Sequence, residues 1–177
     1  SLTQALGNAA SVRGTDARDV LNFGLRIRGF EAGVLVDGVA LPGTSSTPEL
    51  LTGMSRIEVV KGPAGTLYGG SQAAGSGGFI GGLVAVTTAA PQARFSASAA
   101  VRGGTLNQSG MAIDLNQPLS NTLALRLSAE GSREGSETDR IRHRRLAVQP
   151  SLAWRPSSDA ELVVRWRHTD SQGLDYS

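Results

Sequence analysis

Cysteine is missing from all 177 residues. Its absence removes disulfide scaffolds, thiolate zinc sites and iron–sulfur clusters, and with them any reading of redox compartment. Aromatic side chains make up only 5% of the chain, so no bulky aromatic core is on offer. Lysine is nearly absent as well: apart from Lys61, every Lys or Arg position is an arginine. No uninterrupted apolar run approaches 18 residues, which excludes a membrane-spanning helix. Ser1 to Leu6 show no basic stretch leading into an apolar core, so no secretory leader is read there. The expectation is either a cytosolic protein or a chain cut from a longer precursor.

What is present is unevenly spread. Apolar residues reach 40%, too many for a disordered tail, and the 23 glycines follow no collagen period. Residues 1–92 hold 17 of those glycines, with six basic and six acidic side chains. Residues 93–177 hold six glycines, eleven arginines and nine carboxylates, and so carry the whole net charge of +2. Two physically different modules are expected, 1–92 and 93–177, meeting near Ala90-Pro91-Gln92.

The first module reads as a small α+β unit. Ser1 and Gln4 have capping-box spacing, and Leu2, Ala5, Leu6 and Ala9 fall on one helical face. Leu25 and Ile27 alternate with Arg26 and Arg28, the period of a half-buried strand ending at Gly29. Val34-Leu35-Val36, Asp37-Gly38 and Val39-Ala40-Leu41 form a hairpin pattern, because Asp-Gly supplies the positive φ values of a type I′ turn. Thr47, Pro48 and Gly53 suit the N-cap, first position and end of a short helix. Arg56 to Val60 and Leu83 to Thr88 read as two further strands.

The second module alternates strictly. Apolar residues recur at every second position through 95–101, 111–115, 123–129, 146–154 and 162–166, five segments of roughly ten residues each. Pro118–Thr122 and Pro156–Asp159 are short connections, whereas Arg133–His143 reads as a longer charged loop. A soluble β-sandwich and an outer-membrane barrel both give this alternation. The barrel is favoured by a polar face that carries Arg126, Glu130, Arg155, Arg165 and Arg167. Phe95 and Trp154, at strand ends on the short-turn side, suit an interfacial girdle.

Four pieces occur in a fixed order. They are Arg26-Ile27-Arg28-Gly29-Phe30; the Asp37-Gly38 hairpin; Arg56-Ile57-Glu58-Val59-Val60-Lys61-Gly62-Pro63-Ala64-Gly65-Thr66-Leu67-Tyr68-Gly69; and Gly81-Gly82-Leu83-Val84-Ala85-Val86-Thr87-Thr88 ahead of Pro91. This succession resembles the plug domain of TonB-dependent outer-membrane receptors, in the siderophore-receptor branch. The fold the resemblance implies is mainly β: an α+β plug followed by the first antiparallel strands of a transmembrane β-barrel, incomplete in this chain. The chain departs from the pattern at Gly75–Ile80, which looks inserted, and at Thr88-Ala89-Ala90-Pro91, where many relatives have Thr-Lys-x-Pro. By the same resemblance, the TonB-contacting segment and first plug strand would lie ahead of Ser1. Plugged outer-membrane transporters close about 22 strands, so by the same resemblance most of the barrel would lie beyond Ser177.

The resemblance also implies roles. Arg28 and Glu58 match plug positions that contact the barrel in the family. With Arg26, Arg56 and Lys61 they are expected to project from strands toward a polar barrel wall as charge contacts, the alternative being solvated strand faces. Phe30, Glu31, Tyr68 and Gln72 face the ligand from outward loops. The implied partners are TonB, a siderophore or similar small ligand, and outer-membrane lipid and lipopolysaccharide. The implied function is energised uptake, in the Gram-negative outer membrane, of a ferric siderophore or another scarce ligand such as a glycan, cobalamin or haem, or else signalling. From another class, a soluble β-rich binding or adhesion module remains open.

Catalytic readings find little support. Lys61–Gly70 lacks the Gly-Lys-Ser/Thr ending of a phosphate loop, and Gly69–Ala73 lacks the last glycine of a nucleophile elbow. His143 and His168 have no carboxylate at triad or metal spacing. Arg140–Arg145 is basic, but acidic residues precede it and no stacking aromatics surround it, so nucleic acid is not an expected partner. No enzyme activity, protein-bound metal or cofactor is expected; iron would arrive only inside a chelate.

Overall fold

The computed structural model describes residues 12–14, 25–40, 52–62, 81–105, 108–135 and 142–173. It divides into two compact units, Ser1–Thr88 and Ala89–Ser177. The described residues contain strands and no helix. The helices expected at Ser1–Ala9 and after Thr47 lie outside them.

The first unit holds two small sheets. One joins β1 (Val12–Gly14), β2 (Leu25–Ile27) and β3 (Phe30–Glu31), all antiparallel. The other has the order β5-β4-β7-β6, built from β4 (Gly33–Val36), β5 (Val39–Ala40), β6 (Met54–Lys61) and β7 (Gly82–Thr88). β7 is central, parallel to β4 and antiparallel to β6. Its Leu83, Val84 and Val86 are buried, as a near-continuous apolar run must be when neighbours cover both faces. Ile27, Val36, Val84 and Val86 form one core cluster, and Leu35 and Leu83 a second.

Turn chemistry explains the local geometry. Asp37 (φ +50°) and Gly38 (φ +81°) sit between β4 and β5 with both φ values positive, as a type I′ hairpin requires. The strand expected to run to Gly29 is corrected: it ends at Ile27, and Arg28 (φ +54°) and Gly29 (φ +86°) make a second tight turn before Phe30. Arg28 therefore does not project from a strand. The reason is the Ile27–Phe30 pairing, which leaves only two residues to reverse the chain. Left-handed backbone is uncommon for a long side chain and stores strain.

The second unit is one antiparallel sheet of β8 (Ser96–Gly103), β9 (Ser109–Pro118), β10 (Leu123–Gly135), β11 (Arg142–Ser157), β12 (Ala160–Arg165) and β13 (His168–Gly173). Each of β8 to β11 pairs with the next, and β13 also pairs with β11. Ser151 faces Arg165 and Val148 faces His168 in one unbroken register. Trp166 N–H donates to the Pro150 carbonyl at 3.1 Å between the two pieces. β12 and β13 thus form a single strand line that runs past the expected end at Arg167. The charged loop expected at Arg133–His143 is also shorter, since Arg133 pairs with Arg144, Glu134 with His143 and Gly135 with Arg142. Backbone ladders need no apolar face, so the hairpin continues beyond its apolar rows.

Candidate functional site

The two faces of the second sheet have inverted polarity. Asp114, Asn116, Ser128, Gln149 and Ser151 are buried, beside the small Ala112, Ala124, Ala147 and Ala153. The large apolar side chains are exposed instead: Val101, Met111, Leu115, Leu146, Leu152, Trp154, Leu162, Val164 and Trp166. They stand in cross-strand rows, Leu125 opposite Leu152 and Leu152 opposite Val164, Ala97 opposite Leu115 and Leu115 opposite Leu127. A water-soluble sheet buries its apolar face, whereas a sheet bathed in lipid does the reverse. On β10 the apolar positions run from Leu123 to Gly131, about eight steps or roughly 27 Å along the strand. At a tilt of about 40° this spans roughly 20 Å, close to the ~25 Å band of outer-membrane barrels. Trp154 is 49% exposed and Phe95 57%, both toward the short turns at 119–122 and 158–159.

The polar face is a bonded network. Arg126 grips Asp114 side-on, Nη2 to Oδ1 at 3.0 Å and Nε to Oδ2 at 3.3 Å, and Ser128 donates to the same Oδ2 at 2.8 Å. Arg155 pairs with Glu161 at 2.6 Å, and Arg167 Nε donates to Gln149 Oε1 at 3.2 Å. These side chains also reach the chain that enters β8. Arg126 donates to the Ala90 carbonyl at 3.4 Å and Arg155 to the Pro91 carbonyl at 2.7 Å. Asn116 accepts from Gln92 N–H at 2.8 Å and donates to the carbonyls of Gln92 at 3.0 Å and Arg94 at 2.5 Å.

In the first unit, Asp37 does more than turn the hairpin. Its carboxylate accepts from Thr88 N–H at 2.8 Å and Thr88 Oγ1 at 2.7 Å, and Asp37 N–H donates to the Val86 carbonyl at 2.9 Å. Among the charges singled out from the sequence, Arg56 and Glu58 pair with each other on β6 at 2.7 Å, with side chains 68% and 44% exposed. Such an exposed pair contributes little stability. Arg26 is exposed on β2, in register with Arg13 and Glu31, Arg28 is exposed at its turn, and Lys61 is exposed at the end of β6. Phe30 is exposed, and it lies with Glu31 in β3 rather than in the loop expected there. Tyr68 and Gln72 lie outside the described residues. Among the described residues, no group of three or more His, Cys, Asp or Glu is placed to hold a metal ion.

Reasoning from sequence missed Asn116 and Thr88 as contact residues. Asn116 looks like any polar member of an alternating strand; its position two residues from Asp114 on the inward face is the only sign it gives.

The family model for the TonB-dependent Receptor Plug Domain matches residues 1–76. The ferrioxamine B receptor of Salmonella typhimurium strain LT2 is 33% identical over 162 residues, 85% of this chain and 22% of that receptor. The catecholate siderophore receptor Fiu of Escherichia coli K12 is 28% identical over 175 residues, 95% of this chain and 22% of Fiu. In its closed crystal form, Fiu superimposes with a TM-score of 0.81 at 23% identity, covering 97% of this chain and 24% of Fiu. The chain belongs to the TonB-dependent receptors.

The pyoverdine receptor FpvA of Pseudomonas aeruginosa PAO1, solved with pyoverdine bound, gives a TM-score of 0.79 at 19% identity, covering 96% of this chain and 25% of FpvA. The small mixed sheet of this TonB-dependent receptor is accordingly plug, and its inverted sheet is the opening of an outer-membrane β-barrel. The chain spans about a fifth of the length of the curated relatives it matches.

Proposed function

We propose that the protein to which this chain belongs imports a ferric siderophore across the outer membrane, with TonB supplying the energy and the plug gating the barrel. The observation that carries this reading is the inverted sheet following directly on a plug domain, which joins a lipid-facing wall to a stopper. The ligand class is drawn from relatives named as ferrioxamine and catecholate receptors. The process needs no covalent step and no enzyme chemistry. A ligand that binds the rearranged plug more tightly than the resting one shifts the population toward it. Iron travels as cargo within the chelate. Phe30, Glu31, Tyr68 and Gln72 are the proposed ligand contacts, and Arg26, Arg28, Arg56, Glu58 and Lys61 the proposed reversible charge contacts to the wall.

Growth under iron limitation tests the reading. Cells carrying the intact gene and cells lacking it are supplied with single defined chelates, ferrioxamine B and a ferric catecholate among them. Selective loss of growth on one chelate after deletion is the expected result. Unchanged growth on every chelate, with lost growth on haem, cobalamin or a glycan, would reassign the substrate. Unchanged growth on all of them removes the importer reading.

A further inference from the structure

The chain leaving β7 is held at once by side chains of three adjacent strands. The carbonyls of Ala90, Pro91, Gln92 and Arg94 are taken by Arg126 on β10, Arg155 on β11, and Asn116 on β9 for the last two. Pro91 is buried and has no N–H to satisfy. Asn116, itself 0% exposed, spends its Oδ1 on the Gln92 N–H and its amide N–H groups on two carbonyls. Only one orientation of the amide meets both demands. A side chain here does for Gln92 what a neighbouring strand does elsewhere in a sheet. Two of the gripping groups are braced in turn: Arg126 by Asp114, and Arg155 by Glu161. Immediately upstream, Thr88 is tied to Asp37 inside the plug. Two separate sets of bonds therefore flank Ala89.

We propose that Asn116, Arg126 and Arg155 are positioning residues that keep Ala90–Arg94 fixed to the barrel wall while the plug rearranges. Motion of the gate is then confined to residues upstream of Ala89. The proposal rests on the reading of the first unit as a gate. It predicts two regimes of stability on either side of one residue, since a cooperative set of part-buried bonds centred on the fully buried Asn116 opens later than the short strands of the plug.

Amide hydrogen exchange on the full-length receptor in detergent tests this, with mild urea as the probe that loosens the plug. The expected result is that peptides spanning β4 to β6 exchange while the Gln92 amide stays protected. Asn116→Leu removes all three bonds while keeping the branched shape of the side chain and is expected to speed exchange at Gln92 by at least roughly tenfold. Cells expressing it should also admit a large hydrophilic antibiotic that the wild-type protein excludes. Heat-modifiable migration of the barrel should stay unchanged, which separates positioning from folding. If Asn116→Leu loses that migration, Arg155→Gln, which removes the Pro91 bond, is read by the same two measurements. Exchange at Gln92 in step with β4 to β6 in the wild-type protein overturns the proposal. So does a folded variant with unaltered exchange and antibiotic exclusion. Because urea and not a siderophore drives the experiment, failure to find a transported chelate leaves this result standing by itself.

Discussion

Gly82 has a φ of +133°, and a Cβ built there would overlap the carbonyl oxygen of Val60 on the neighbouring strand. Gly81 is as confined, with the Ile27 carbonyl oxygen and Phe30 Cβ each 2.8 Å from where a Cβ would stand. The Gly-Gly step at the start of β7 is therefore a steric requirement: two strands approach too closely for any side chain. Gly82→Ala is expected to destabilise the plug by at least about 2 kcal/mol, combining forced backbone with a clash that only strand separation relieves. A urea midpoint read from exchange at Val84 and Val86 in the full-length receptor would register it; an unmoved midpoint would show that the approach is looser than described. Asp37 is a second point of this kind. Asp37→Ala removes two acceptors from Thr88 and a residue that tolerates positive φ, and is expected to cost about 1–3 kcal/mol. Asp37→Asn keeps the turn and one acceptor, so its loss should be the smaller of the two in the same measurement. If both variants lose equally, the charge and not the turn is what matters.

The hairpins show what alternation can and cannot convey. The period of two marked all five barrel segments, and Asp-Gly marked the plug hairpin, because both signals are local: a side chain's face and a turn's φ values are set by immediate neighbours. Strand ends were harder to see. His168-Thr169-Asp170-Ser171-Gln172 offers no apolar rhythm, yet its backbone continues the ladder on β11. The alternation of Leu25 and Ile27 around Arg26 predicts a strand through Arg28; the tight turn at Arg28-Gly29 overrides that local period. The inverted polarity yields a test at this scale. Leu127 stands midway along the apolar row of β10, facing Leu115 and Pro150. Leu127→Arg should lower the stability of the folded receptor in lipid by roughly 2–4 kcal/mol. On a sheet with water on that face, the same change falls within about 0.5 kcal/mol. Urea-dependent folding into vesicles distinguishes the two, and a change in the smaller range would argue that the face meets water.

Across the second unit as a whole, the sheet is open. Among the described residues, β8 pairs only with β9, and the β12–β13 line pairs only with β11. The free edge of β8 is Ser96-Ala97-Ser98-Ala99-Ala100, with no charge, proline or bulge over those positions to discourage another strand. Its outward side chains are Ala97, Ala99 and Val101, in register with Leu115, Ile113 and Met111. An edge of this kind is built to be covered. In lipid every unpaired N–H and C=O costs several kcal/mol, so a partial wall has no stable place there, while in water its exposed leucines and tryptophans favour association. The plug is different: its larger apolar side chains Ile27, Val36, Val84 and Val86 make a core of its own. The 177-residue chain produced alone is therefore expected to self-associate through its second unit and to require detergent, with no folded band that migrates apart from the heated one. The full-length receptor, with its ladder closed, should show that band. Sedimentation of the isolated chain in detergent-free buffer decides the matter. A monodisperse monomer there would mean that the exposed apolar rows fold inward on themselves, and the lipid-facing reading of the sheet would fall with them.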